Sequence, residues 1–208
     1  MVYGVKINWA ELNPEKAAFL RDCSRSLRLF SKAFLPHRFN LPFSPSHEAL
    51  FQALDNDRLH RVVCQASRDF GKTTIVSFAY VIQNIIFDKR KFIVIVCANK
   101  ERAEERSDDI RSELLTNEQL IALMGGPIHT ERKSLSRGKF KINCWQTIYD
   151  DALIFLGAEQ ESRGANIRGR RPSLVVLDDY ERSSEVQNED IRKKRRKNIM
   201  ADLRYMFN

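Results

Sequence analysis

The chain has 208 residues, 43% of them hydrophobic, which is room for one domain with a real core, or one domain and an appendage. Its formal charge of +8 favours a polyanionic partner without choosing among them. No apolar run has the length of a membrane span and nothing at the N-terminus resembles a secretory leader, so a soluble, cytosolic protein is expected. Cys23, Cys64, Cys97 and Cys144 are scattered singly with no Cys-x-x-Cys pair, which fits reduced core thiols better than zinc or disulfides.

Apolar residues recur at helical spacing through Phe19, Leu20, Leu27, Leu29, Phe30 and Phe34, so residues 14–35 are predicted as one helix that Pro36 ends. A short proline-rich link covers residues 41–45. Ser46 then reads as an N-cap, with a second helix over 47–54. Residues 1–57 thus form a helical N-terminal segment or lid, and 58–208 the main domain.

That domain opens on a predicted buried strand, residues 61–66, with Val62-Val63-Cys64 at its centre. A glycine-lysine turn and a long apolar helix over 73–87 follow. Residues 92–97 (Phe-Ile-Val-Ile-Val-Cys) read as a second buried strand, and 100–115 as a charged helix with i,i+4 ion pairs. Gly125-Gly126-Pro127 breaks the chain. Strands are predicted over 139–145 and 153–157, then a loop rich in arginine and glycine over 159–171. A last buried strand, 174–177, runs into Asp178 and Asp179, and a polar helix spans 183–207. Strands alternating with helices imply an α/β domain with a mainly parallel sheet flanked by helices.

Chemistry concentrates at two places. Ala66-Ser67-Arg68-Asp69-Phe70-Gly71-Lys72-Thr73-Thr74 has the make-up of a phosphate-binding loop, although Ala66 stands where such loops have their first glycine. Backbone N–H groups of residues 68–74 would wrap phosphates, Lys72 would reach the β- and γ-phosphates of ATP, and the Thr73 hydroxyl would sit on Mg2+. The strand–loop–helix order is the context such a loop requires. The second place is 174–179, four apolar residues and two carboxylates, the pattern of a Walker B strand. Asp178 would hold the magnesium and Asp179 would polarise the attacking water, with Glu181 as its alternative. The plain alternatives are a polar turn capped by threonine, and for Glu181 a solvated acid at a helix start.

The residues resemble those of a family, the large terminase subunits of tailed double-stranded-DNA bacteriophages. Four segments carry the likeness: residues 63–74, whose loop lacks the first glycine and has Arg68; residues 92–105; Ser162-Arg-Gly-Ala-Asn-Ile-Arg-Gly169; and Leu174 to Glu181, ending Asp-Asp-Tyr-Glu. The resemblance implies a P-loop NTPase of the additional-strand type that hydrolyses ATP with Mg2+ to drive double-stranded DNA into a procapsid. It implies a homo-oligomeric ring working with the portal protein and the small terminase subunit, in the cytoplasm of the infected host cell and transiently at the portal vertex. Arg68 would contact phosphate or couple nucleotide state to the fold, and Arg168 would be a trans-acting arginine finger with Arg163 as runner-up. The family's adenine contact comes from an upstream segment, where this chain offers His47 and Gln52, neither a clear match. The family's coupling motif and nuclease domain have no counterpart in these residues.

Arg192, Lys193, Lys194, Arg195, Arg196 and Lys197 form an unbroken basic run. It reads as a solvated helix face first and as a weak DNA contact second. Two other functions remain open on sequence grounds: a helicase-like P-loop ATPase, and a nucleotide-regulated DNA-binding module with little turnover.

Overall fold

The computed structural model describes residues 6–132, 143–158, 160, 170–180, 189, 190, 193 and 197. It is an α/β structure. After a short 3-10 turn at Trp9–Glu11 come α1 (Pro14–Arg25), α2 (Leu27–Phe34) and α3 (Pro45–Asp55). A π-helical stretch, Thr73–Ala79, continues directly into α4 (Tyr80–Ile86). Next come β1 (Phe92–Cys97), α5 (Lys100–Thr116), α6 (Glu118–Met124), β2 (Thr130–Arg132), β3 (Asn143–Thr147), β4 (Ala152–Gly157) and β5 (Leu174–Asp178). None of the described helices is long and apolar enough to cross a membrane.

The five strands form one sheet in the order β2-β3-β4-β1-β5. β4, β1 and β5 run parallel, with Cys97 opposite both Gly157 and Asp178. β3 is antiparallel to β4, and β2 to β3. The sheet is therefore mixed, a three-strand parallel block with two antiparallel strands beside it, rather than mainly parallel.

Each face of the parallel block buries alternate side chains. Ile93, Ile95, Leu153 and Phe155 face the larger core, together with Leu20, Phe30, Phe51 and the α4 residues Val81, Ile82, Ile85 and Ile86. Each such side chain contributes about 1.5–3 kcal/mol relative to exposure. Val94, Val96, Ile154 and Leu156 face a smaller cluster on the other side. The N-terminal helices share the larger core with α4 and the sheet, and Phe30 meets Phe87 edge-on at 5.9 Å. Cys23, Cys97 and Cys144 are buried and Cys64 is partly so.

Several sequence expectations need correction. The helix predicted over 14–35 is broken at Ser26, which is extended and caps α2 by accepting from Leu29 N. Partners distant in sequence make the break affordable: Asp55 accepts the Leu27 N–H at 2.9 Å, and the buried Gln83 donates to the Cys23 carbonyl at 2.8 Å. The N-cap of α3 is Ser44 rather than Ser46, because Pro45 supplies the first helical residue and His47 closes a capping box. Helix α6 and strand β2 had no counterpart in the sequence expectations; Asn117 ends α5 and caps α6, which stops at Gly125 in a left-handed conformation (φ 71°).

The largest correction concerns residues 61–66, which are not a strand. Val63 is 94% exposed and Val62 39%. β5, expected to be buried, lies at the sheet edge, and Leu177 is 40% exposed. A groove of about 610 Å³ separates the two segments, with Val62, Cys64, Tyr80, Val175 and Leu177 on its walls. A three-residue apolar run does not make a strand unless another strand takes up its backbone groups, and among the described residues none pairs with it.

Candidate nucleotide site

The site is built at the carboxyl end of the parallel strands, where open α/β sheets place ligands. β5 delivers Asp178 there, and the register with β1 fixes its depth beside Cys97. Asp178 is well covered, its side chain 11% exposed. Thr73, in the first turn of the helix that follows the glycine-lysine turn, donates its hydroxyl to Asp178 Oδ1 at 2.8 Å. The two residues are 105 positions apart in sequence, so tertiary structure alone joins them.

The turn between is held by backbone conformation. Asp69 (φ 61°) and Gly71 (φ 80°) are both left-handed, on either side of Phe70. No atom lies within 4 Å of where a Gly71 Cβ would be, so the backbone angle selects glycine and crowding does not. Alternating conformations of this kind turn successive N–H groups toward one concavity, a form that suits anions. Ile75 N–H bonds the Gly71 carbonyl at 2.9 Å, which starts the helix and sets its positive end against the loop. The first seven helical residues are π-helical, a feature that recurs at functional sites.

Lys72 folds back on its own loop and donates to the carbonyls of Ala66 at 2.7 Å and Ser67 at 2.9 Å. An ammonium held only by neutral carbonyls is free to exchange them for phosphate oxygens, which bind it more strongly. Ser67, Arg68 and Asp69 are exposed on the loop, and Thr74 is half-buried. Asp179 is exposed and left-handed (φ 41°). That conformation costs an aspartate of order 1 kcal/mol, and such strain gathers at functional positions.

His47 links the N-terminal helices to the loop. Its Nδ1 accepts from Ser44 N–H at 2.9 Å, so the proton is assigned to Nε2, which donates to the Phe70 carbonyl at 2.8 Å. The imidazole also stacks on the Phe70 ring, centroids 4.3 Å apart. Phe43 continues the contact to Phe51 at 4.7 Å. His47 therefore both caps α3 and grips the loop. Gln52 is exposed and makes no comparable contact with it.

A residue absent from the sequence expectations also belongs here. Arg106, on α5, approaches Asp178 Oδ2 with Nε at 3.4 Å and pairs with Asp109 at 3.1 Å. It follows the buried Ala103 by three positions and precedes the buried Ile110 by four, so it flanks the apolar stripe of α5. A cation in that position of a helix entering from the carboxyl end of a strand was a signal the sequence did carry. Cys97 lies beside the same carboxylate. Burial first, and then the negative Asp178, push its thiol up to about 12, which keeps it protonated and unreactive.

The other proposed residues divide in two. Arg168, Arg163 and Glu181 lie outside the described residues, as do Arg192, Lys194, Arg195 and Arg196 of the basic run. Lys193 and Lys197 are helical and exposed, and Lys193 pairs with Glu189 at 2.9 Å. Arg170, of the neighbouring arginine cluster, bonds Asp150 at 2.8 Å, beyond the amino ends of the strands and away from Asp178.

The donor set can be tested for magnesium. Among the described residues no three His, Cys, Asp or Glu side chains gather where they could hold a metal. One carboxylate and one hydroxyl do meet, at Asp178 and Thr73. That set fits Mg2+ carried in by phosphate, since this ion takes one or two protein oxygens and completes its shell with phosphate and water. Compared with models of protein families and with curated proteins, the chain matches none.

Proposed function

We propose that the chain is a P-loop ATPase domain that binds ATP with Mg2+ at residues 66–74 and Asp178, and that it belongs to a DNA-packaging motor of the large-terminase kind. The observation that carries the nucleotide reading is the Thr73–Asp178 hydrogen bond, which brings the two expected magnesium ligands together from opposite halves of the chain. The strained loop, the helix start behind it and the loosely held Lys72 support the same reading. The motor reading rests on the sequence resemblance and on the +8 charge.

In this reading the loop N–H groups and Lys72 hold the phosphates, while Thr73 and Asp178 hold the metal. Magnesium, when bound, would neutralise charge on the β- and γ-phosphate oxygens. Asp179, exposed at the end of β5, would accept a hydrogen bond from the attacking water and orient it. Arg168 would act from a neighbouring subunit of a ring around double-stranded DNA, with the portal and small terminase subunit as further partners.

A second reading has an observation of its own. Residues 61–66 do not pair with β5, and Lys72 rests on loop carbonyls. Both fit a nucleotide-responsive DNA-binding module with little turnover.

Titration with a fluorescent ATP analogue tests the shared core. Lys72→Ala is expected to weaken binding by about 30-fold or more, the loss of a charge-assisted contact worth about 2 kcal/mol. Unchanged affinity would remove the nucleotide reading altogether. Lys72-dependent binding with no phosphate release, even with DNA, would select the second reading. Turnover that rises with protein concentration and collapses in Arg168→Ala would support the ring.

A further inference from the structure

Arg106 is left without a task by this account, and its surroundings suggest one. Its side chain is 18% exposed, its outer nitrogen pairs with Asp109, and its Nε faces Asp178 Oδ2 at 3.4 Å. That separation makes an ion pair, yet the Nε–H is buried and completes no hydrogen bond. Asp178 thus has both oxygens engaged by groups of the protein: Thr73 on Oδ1 and the guanidinium beside Oδ2. A divalent cation on the carboxylate would meet a positive charge already standing beside Oδ2.

We propose that Arg106 is the resident counter-cation of Asp178, and that a divalent metal arriving with nucleotide competes with it for the carboxylate. The inference rests on the reading of Asp178 as a metal ligand. A buried carboxylate without a counter-charge is costly, and Arg106 supplies that charge. The pairing is also poor enough to be given up. A buried donor with no completed hydrogen bond is an unfavourable feature, and it ends when the side chain moves. Asp109, on the partly exposed side of α5, offers the guanidinium somewhere to remain when Asp178 is taken. Arg106 therefore lowers the affinity of the site for metal alone and makes firm metal binding depend on the added charge of the phosphates.

The consequence is opposite in sign to that of a supporting residue. Removing Arg106 removes a positive charge from beside the metal position, and metal binds more tightly. Mn2+ serves as the probe, titrated into the full chain with ADP present and followed by the electron paramagnetic resonance of free Mn2+. Arg106→Gln is expected to tighten Mn2+ binding by about tenfold or more, the lower bound set by one unit charge about 5–6 Å from a divalent ion at the dielectric constant of water. Arg106→Lys keeps the charge and should stay within about twofold of the wild type. Its return to wild-type affinity separates a charge effect from disturbed packing.

Mn2+ binding that is unchanged or weaker in Arg106→Gln, while Asp178→Asn still abolishes it, would overturn the competition and leave the metal site standing. Mn2+ binding insensitive to Asp178→Asn in either background would remove Asp178 as a ligand, and this inference with it.

Discussion

The two ends of the parallel strands carry charge clusters of different character. At the amino ends, Lys6 donates to Asp151 at 2.6 Å and to Asp88 at 3.2 Å, while Lys91 also reaches Asp151 at 3.6 Å. Lys6 and Asp151 are almost wholly covered, their side chains 7% and 1% exposed. Thr147 adds its hydroxyl to Asp151 at 2.7 Å. At the carboxyl ends, Arg106 has a buried N–H without a partner, Lys72 rests on loop carbonyls, and Asp179 is strained and exposed. In the first cluster each ammonium meets carboxylates, whereas in the second Lys72 meets only carbonyls. The first ties the N-terminal segment to the sheet, and in the proposed function the second would hold groups for a ligand.

The sharpest way to break this contrast is Asp151→Ala. It leaves the Lys6 ammonium buried beside a shared Asp88, and should cost about 3 kcal/mol in urea unfolding. Nucleotide affinity should hardly change, since Asp151 lies at the other end of the strands. Loss of binding without loss of stability would contradict the division into a structural and a functional end.

His47 comes next, because it crosses from the helical segment to the loop. His47→Ala removes the bond to the Phe70 carbonyl and the ring stack, and is expected to weaken nucleotide binding by about three- to tenfold, with about 1 kcal/mol of stability lost. His47→Gln can still donate to that carbonyl and should recover part of the affinity. If both variants bind as the wild type does, the loop is held by its own backbone angles alone.

The smallest effect is the pH dependence of the amino-end cluster. Partial burial works against a charged Asp88, but the hydrogen bonds and charges of Lys91 and Lys6 outweigh it and hold its pKa below the usual value. A carboxylate with a depressed folded pKa adds stability above its unfolded pKa, and that stability is lost as pH falls through the folded one. Lys91 is raised: burial opposes its charge, but Asp88 and Asp151 more than offset that. Its share is complete below the ordinary lysine pKa and is lost only as pH rises through the folded one. Stability from this cluster should therefore be level between about pH 5 and 9 and fall on the acid side. Asp88→Asn should flatten the acid fall in a series of urea melts, and an unchanged slope would place the acid sensitivity elsewhere.

Much of the candidate site was legible in the chain because its signals are local. Gly71 gives a left-handed turn at low cost, a charged lysine and a hydroxyl follow it, and an apolar run ends in paired acids. The strands at Phe92–Cys97 and Ala152–Gly157 were equally plain, since burial on both faces demands continuous apolar residues. Residues 61–66 have the same composition in miniature and still form no strand. Composition states a preference, whereas a strand also requires a neighbour at hydrogen-bonding distance.

The sequence by itself determined the chemistry at each position: which residues carry an ammonium, a hydroxyl or a carboxylate, and where helices and strands find their hydrophobic faces. Tertiary structure decided what meets what. It set Thr73 against Asp178, turned Arg106 from a surface cation into the carboxylate's partner, and made His47 a link between α3 and the loop. It also broke the first helix at Ser26, because Asp55 and Gln83 were there to receive the freed backbone groups. The reason is common to all of these. A side chain's type is written locally, but satisfying a buried charge or an orphan backbone group depends on atoms that come near only when the chain has folded.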